Sequence, residues 1–264
     1  MNFKTLEEKQ LYYRSLTDYK LLPNSYIVIM IDGRSFSTKI KNKFNKPFDD
    51  DFITMMNETA KYACENISGC LLAYTQSDEI SFIVRDNLNE DSDSFFGYRL
   101  CKIQSLVASM VTSKFNRLAL EKWIKDNPGK DIDKAPLYEF DCKAWNVPSD
   151  NDALGWLIYR QNDCRRNSIQ QTAQTYFSHK QLIGKKCDEQ KEMLYDQKDI
   201  DWDSFETGKR IGRMIMKTEV KRLNQDGIEF TRNKFTILPA LDLNVKESRN
   251  IILTNIFQTG MYKI

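Results

Sequence analysis

The sequence predicts an α+β fold of ferredoxin-like type, with elements in the order β-α-β-β-α-β over roughly Leu22 to Val147. Three observations carry this. The apolar run in "NSYIVIMIDG", about Ser25 to Ile31, is bounded by Gly33 and has the length of a buried strand. "CLLAYTQ" and "EISFIVR" are separated only by Ser77 and Asp78, the pattern of a hairpin. Two longer stretches repeat apolar residues at helical spacing, one before the hairpin and one after it.

Each element follows in order. After the first strand, "FDDDFITMMNETAKYACEN" places Phe52, Met55, Met56, Thr59, Ala60 and Ala63 on one helical face, and Asp49 or Asp50 can cap its start. The hairpin comes next, then a polar loop, "DNLNEDSDS". A second helix is expected from about Phe95 to Leu118, with Phe96, Leu100, Ile103, Val107, Met110 and Leu118 as its stripe. The loop "DNPGKDIDK" leads to a fourth strand in "PLYEFDCKAWNV". Beyond it, "SDNDALGWLIYRQNDCRRNSIQQTAQTYFSHKQL" reads as helix, "DEQKEML" as a short helix, and Asp226-Gly227 as a hairpin turn. Residues 1–147 thus form a core, and residues 148–264 a helical and β-hairpin appendage packed on it as one unit.

Composition narrows the function classes. The 264 residues are 41% hydrophobic and 29% charged, as in soluble globular proteins. The net charge of +2 gives no global basic field, so a nucleic-acid contact needs a local patch. The longest strongly apolar run stops at Asp32, too short for a membrane span. The N-terminus is mixed in charge and lacks an apolar signal core, which points to a cytoplasmic protein and leaves a mitochondrial one open. Six scattered cysteines without a CxxC pair, and a single histidine, His179, argue for reduced thiols and against a zinc site.

The acidic residues are the chemical signal. In a ferredoxin-like sheet, the end of the first strand and the tip of the hairpin lie side by side. Asp32, Asp78 and Glu79 then converge, and like charges at that spacing repel unless a cation joins them. A carboxylate cluster suits hard divalent ions, and Mg²⁺ is the usual choice where phosphates complete the coordination. Two such ions about 4 Å apart can activate an attacking oxygen and steady a leaving phosphate. Turn formation and helix capping are the plain alternative for short acidic motifs.

"IDGRSF", "NKPFDDDFITMMN" and "AYTQSDEISFIV", in this order and spacing, resemble the tRNA-His guanylyltransferase superfamily, whose members add nucleotides to the 5′ end of RNA on a polymerase-like palm. The likeness continues through "FDCKAWNVPS", "YRQNDCRRNSIQ", "YFSHKQLIGK" and "DEQKEML", covering most of Leu22 to about Leu194. Where guanylyltransferases proper carry a His-Ile-Asn stretch after "RQxD", this chain has Cys164-Arg165-Arg166-Asn167-Ser168-Ile169-Gln170. That version resembles the guanylyltransferase-like branch, which implies templated 3′–5′ addition and repair of 5′-truncated tRNA.

The resemblance implies roles. Asp32 and Asp78, with the Gly33 carbonyl, would bind two Mg²⁺ ions, and Glu79 belongs to the same catalytic motif, either as a ligand or in tuning the site. Asn45, Lys46, Asp49 and Ser77, with Arg99 and Lys102 three apart on the second helix, would bind nucleotide, with GTP and ATP as substrates. Arg165, Arg166, Asn167, Lys209, Arg210 and Arg213 are candidates for RNA. Tetramers are implied by family likeness alone. Met30 and Ser37 depart from an arginine and a histidine frequent in relatives, which bears on activation of the 5′ end. Other readings stay open: untemplated addition of one 5′ G to tRNA-His, a nucleotide cyclase or 5′–3′ polymerase on the same palm, a ferredoxin-like RNA-binding module, and a non-catalytic tRNA-binding relative.

Overall fold

Apolar residues on both faces place the central strands of this fold between two helical layers. The computed structural model describes residues 3–39, 43–85, 94–223 and 229–262. Its elements are α1 (Leu6–Ser15), β1 (Tyr26–Gly33), α2 (Phe36–Lys39), α3 (Asp50–Asn66), β2 (Cys70–Gln76), β3 (Glu79–Val84), α4 (Leu100–Asp126), β4 (Phe140–Val147), α5 (Asp150–Tyr176), α6 (His179–Leu182), α7 (Cys187–Lys198), α8 (Thr207–Ile211), β5 (Arg213–Leu223), β6 (Glu229–Pro239) and α9 (Lys246–Ile251). The strands form one antiparallel sheet in the order β4-β1-β3-β2-β5-β6. Its first four members have the ferredoxin-like order.

Both faces are covered. Ile27, Ile29 and Ile31 of β1 and Ile80, Phe82 and Val84 of β3 point to one face, where they pack with Met56, Ala60 and Ala63 of α3 and Ile103, Val107, Val111 and Phe115 of α4. Tyr26 and Val28, with Leu72 and Tyr74 of β2 and Met214 and Met216 of β5, point to the other. There they meet Ala153, Leu154 and Leu157 of α5 and Ile252, Ile256 and Phe257 of the C-terminal segment. A strand buried on both faces reads as a continuous apolar run, which is why β1 and β2 stand out in the sequence.

The structure revises several boundaries. β1 runs on to Gly33, so Asp32 is a strand residue in register with both neighbours. The second helix begins at Leu100, not Phe95, because Phe96 and Gly97 have φ of 51° and 61° in a short 3₁₀ turn. It continues to Asp126. Phe96 therefore precedes the helix, and the buried stripe runs through Val111, Phe115 and Ala119. The C-terminal hairpin extends the sheet beside β2, so the sheet crosses the boundary expected at residue 147. The turn expected at Asp226-Gly227 and residues 86–93 of the polar loop lie outside the described residues.

An aromatic cluster packs behind β1. Phe115 has no exposed surface and meets Phe36, Phe52, Tyr138 and Phe140 at ring-centre distances of 5.6, 6.0, 5.2 and 5.2 Å. Truncating such a residue loses its transfer energy and leaves a cavity. Phe115→Ala is expected to cost about 3–5 kcal/mol, read as a lower urea midpoint with an unchanged slope.

Candidate active site

Register brings the acids together. Across β1 and β3, Asp32 stands opposite Glu79, and across β1 and β4 it stands opposite Asp141. The β2–β3 turn holds Ser77 in a left-handed conformation, φ 48°, and presents Asp78. Asp78 closes directly on Gly33. A Cβ built on Gly33 would lie 2.8 Å from Asp78 Oδ2 and would also strike the Phe36 ring. Only a residue without a side chain lets this carboxylate and that ring approach the strand together. The Ser77 hydroxyl donates to Asp78 Oδ1 at 2.9 Å.

The electrostatics match the crowding. Burial pushes the Asp78 carboxyl above the usual range, and the nearby Asp32 charge adds to this. Asp32 is raised by burial and by Asp141, while Arg160 and Lys143 act the other way. Two oxygen-rich acids whose ionisation is penalised, on a backbone left bare by Gly33, fit a hard divalent cation. Glu79 differs. Its Oε2 is ion-paired to Arg160 of α5 and accepts from Gln76 Nε2 at 3.0 Å.

A pocket opens beside Asp78. Asn45, Pro47, Phe48 and Asp49 form one wall and the turn Ser77–Glu79 a second. Cys164, Asn167, Ser168 and Gln171 of α5 face them, and Gly208, Lys209, Gly212 and Arg213 complete the ring. Asp49 caps α3 by accepting from Phe52 N at 2.8 Å, and the same carboxylate takes Asn45 N at 2.8 Å. The cap and the pocket wall are thus one set of hydrogen bonds. Lys209 is paired with Asp50 at 2.7 Å. Arg213 is buried and donates from Nη1 to the Gly208 carbonyl at 2.9 Å, with no acidic partner among the described residues.

The other candidates lie elsewhere. Lys46 is exposed and does not line the pocket. Arg99 precedes α4 in extended conformation, so it shares no helix face with Lys102. Arg99 pairs with Asp18 at 2.7 Å, and Lys102 lies 5.1 Å over the Phe96 ring. Thr112, much further along α4, is the residue that bonds Phe140 beside Gly33. At 1.5 Å per residue, that sets Arg99 and Lys102 roughly 15–20 Å along the helix from the carboxylate end. Arg165 turns to Asp242 at 2.9 Å, Arg166 pairs with Asp163 on its own helix, and Arg210 lies 5.5 Å over Trp202 and donates to Phe205 O at 2.8 Å. Of the six RNA candidates, Asn167, Lys209 and Arg213 line the pocket. Sequence reasoning left out Gln171 and Phe48, and it saw Arg160 only as one member of a polar, basic cluster with Asp163, Arg165, Arg166 and Asn167. Their signal was position: Gln171 follows Asn167 by one helical turn, and Arg160 opens the "RQND" element.

A family model described as tRNAHis guanylyltransferase matches residues 8–148, just over half of the chain. The chain belongs to this family. It is accordingly a nucleotidyltransferase. A probable tRNA(His) guanylyltransferase of Dictyostelium discoideum is 27% identical over 229 residues, covering 82% of this chain and 85% of the relative. The tRNA(His) guanylyltransferase of Saccharomyces cerevisiae is 28% identical over 222 residues, covering 77% and 88%. Among solved structures, a bacterial tRNA(His) guanylyltransferase-like protein in complex with ATP superimposes with a TM-score of 0.81 at 29% identity, covering 97% of this chain and all of that one. A structure of such a bacterial protein with GTP gives 0.73 at 26% identity, covering 96% of this chain and all of that one.

Two outcomes test the geometry of this family member. Gly33→Ala forces apart Asp78 and the Phe36 ring, and a displacement of about 1 Å at a reacting centre costs about 10²-fold in rate; single-turnover transfer should fall by that order. The second concerns pH. Asp78 is a weaker acid folded than unfolded, so losing its proton favours the unfolded chain. Without divalent ions, stability should therefore fall as pH rises from about 4, the ordinary carboxylate value, through the raised folded value. Asp78→Asn should flatten that fall in melts recorded in EDTA.

Proposed function

We propose that this chain adds nucleotides to the 5′ end of tRNA, extending it in the 3′–5′ direction with the opposite strand as template. The observation that carries the reading is the shared location of the Asp32–Asp78 pair and a polar, partly cationic pocket, in a chain related to proteins solved with ATP and GTP. The templated branch is supported by the segment from Cys164 to Gln170, which lacks the His-Ile-Asn stretch and contributes Cys164, Asn167 and Ser168 to that pocket.

Asp32, Asp78 and the Gly33 carbonyl would hold two Mg²⁺ ions. When bound, these neutralise phosphate charge and orient the reacting oxygens. The rest falls to side chains. Pro47 and Phe48 offer apolar surface to a base, with Asn45 and Asp49 at its edge. Arg213 meets phosphate oxygens, and Asn167 supplies a neutral donor. Two in-line displacements follow. The 5′-monophosphate of the RNA attacks the α-phosphorus of ATP or GTP and releases pyrophosphate. The 3′-hydroxyl of the incoming nucleoside triphosphate then attacks the activated 5′ phosphate, and the nucleoside monophosphate leaves. A 5′-triphosphate end enters at the second step, which matters if Met30 and Ser37 weaken the first. A homotetramer in the cytoplasm is part of the same proposal. The oligomer is supported by α1, which buries no residue and exposes Leu6, Leu11 and Tyr13, with Leu16 exposed just beyond it.

The test is 5′ extension of a tRNA lacking its first nucleotide, bearing a monophosphate or a triphosphate, with Mg²⁺ and all four nucleotides. Growth that follows the opposite base supports templated repair. Addition of G alone, whatever the opposite base, indicates untemplated guanylyl transfer instead. No growth from either end, with RNA still bound, sinks the enzyme reading. Asp78→Ala should abolish growth. Arg213→Met removes charge-assisted hydrogen bonds of about 1.5–3 kcal/mol and should raise the nucleotide KM about tenfold or more.

A further inference from the structure

Glu79 is the third acid at the site, and its surroundings differ from those of the other two. Its partner Arg160 is 6% exposed, one of two buried arginines among the described residues. Arg160 Nη2 pairs with Glu79 Oε2 and lies 3.2 Å from Asp163 Oδ2. The Tyr159 and Trp156 rings lie 5.4 and 5.9 Å from the guanidinium. Trp156, one helical turn before Arg160, donates from Nε1 to Ser81 Oγ at 3.1 Å. Two side chains one turn apart on α5 therefore engage two alternate residues of β3, Glu79 and Ser81. This fixes both the height and the rotation of α5 on the sheet. One turn beyond Arg160 stands Cys164, followed by Asn167 and Ser168, the α5 wall of the nucleotide pocket.

We infer that Glu79 and Arg160 are positioning residues, a buried ionic strut that sets the α5 wall of the pocket against the Asp32–Asp78 pair, and that Glu79 is not a metal ligand. The inference rests on the proposed nucleotide and metal site, but its physical content is separate. Glu79 Oε2 is already taken by Arg160 and Gln76, which ties the carboxylate to α5 and β2. Neutralising Glu79 also leaves two acids, not three, to be balanced at the metal position. A buried pair with its charges matched is tolerated, whereas one member left alone costs far more.

The probe is Mn²⁺, which shares the oxygen-ligand preference of Mg²⁺ and is read by its own paramagnetic signal without turnover. Glu79→Gln is expected to bind Mn²⁺ within about threefold of wild type, while Asp78→Asn weakens it at least tenfold. In EDTA melts, Arg160→Met and Glu79→Met should each lower Tm, and the double variant should recover most of the loss because no charge is stranded. Its single-turnover transfer at saturating Mg²⁺ should stay low with a raised nucleotide KM, since the helix is no longer held in place. The inference is overturned if Glu79→Gln loses Mn²⁺ as Asp78→Asn does, if the two Tm losses simply add, or if the double variant transfers at the wild-type rate and KM. Wild-type protein that binds Mn²⁺ and shows the Tm coupling but never extends a 5′ end would leave the strut standing. That result would sink the proposed function instead.

Discussion

Everything at the site depends on holding negative charge where it does not want to be. Asp32 and Asp78 are brought together by strand register and a two-residue turn, and both carboxyls are pushed up by burial. A lone pair of acids would splay apart or protonate. Here the backbone prevents the first. Asp32 is pinned between β3 and β4, and Asp78 is locked by a turn whose Ser77 hydroxyl donates to it. The stored repulsion is what a cation relieves, so the sheet pre-organises a binding site at the expense of its own stability.

The helical layers answer to the same constraint. Gly33 must be bare because Asp78 and Phe36 both press on it, and Phe36 is fixed by the aromatic cluster that α3 and α4 supply. On the other face, Arg160 removes the third acid from the account by pairing with Glu79. The α3/α4 layer thus sets where Asp78 sits, and the α5 layer sets how much charge remains and where the nucleotide pocket lies. Two distant parts of the chain, Phe36 and Arg160, bear on one pair of carboxylates.

How far this was legible in the sequence depended on range. β1 to β4, α3 and the convergence of Asp32 with Asp78 follow from period, turn residues and strand order, all of which are local signals or direct consequences of topology. The α3 stripe of Phe52, Met55, Met56, Thr59, Ala60 and Ala63 is buried as its spacing demands. The start of α4 was misplaced because Phe96 and Gly97 sit in left-handed backbone, a conformation that apolar periodicity does not register. α1 went unseen for the opposite reason: it buries nothing, so it has no apolar stripe to find. The family likeness supplied residue types but not their contacts. It put Arg99 and Lys102 with nucleotide, yet the chain places them at the far end of α4.

Charged side chains were the least legible part, for a reason that applies well beyond this chain. With 39 basic and 37 acidic residues, a cation has many acids it can meet once the chain folds. Arg165 meets Asp242, Arg166 meets Asp163, and Lys209 meets Asp50. The Arg166–Asp163 pair is local, three residues apart on one helix, but the other two depend on long-range packing that no motif encodes. A basic cluster in sequence is therefore a poor guide to a phosphate site, because its members are spent on protein carboxylates. The useful cation is the one left over. Arg213 fills that role: it is buried at the pocket, it donates to a backbone carbonyl, it forms no ion pair among the described residues, and burial lowers its pKa against a weaker pull from Asp50. A guanidinium cannot shed its proton under ordinary conditions, so its remaining route to a balanced charge is an anion from outside. Phosphate oxygens beside Asp78 would supply that anion where the proposed chemistry needs it.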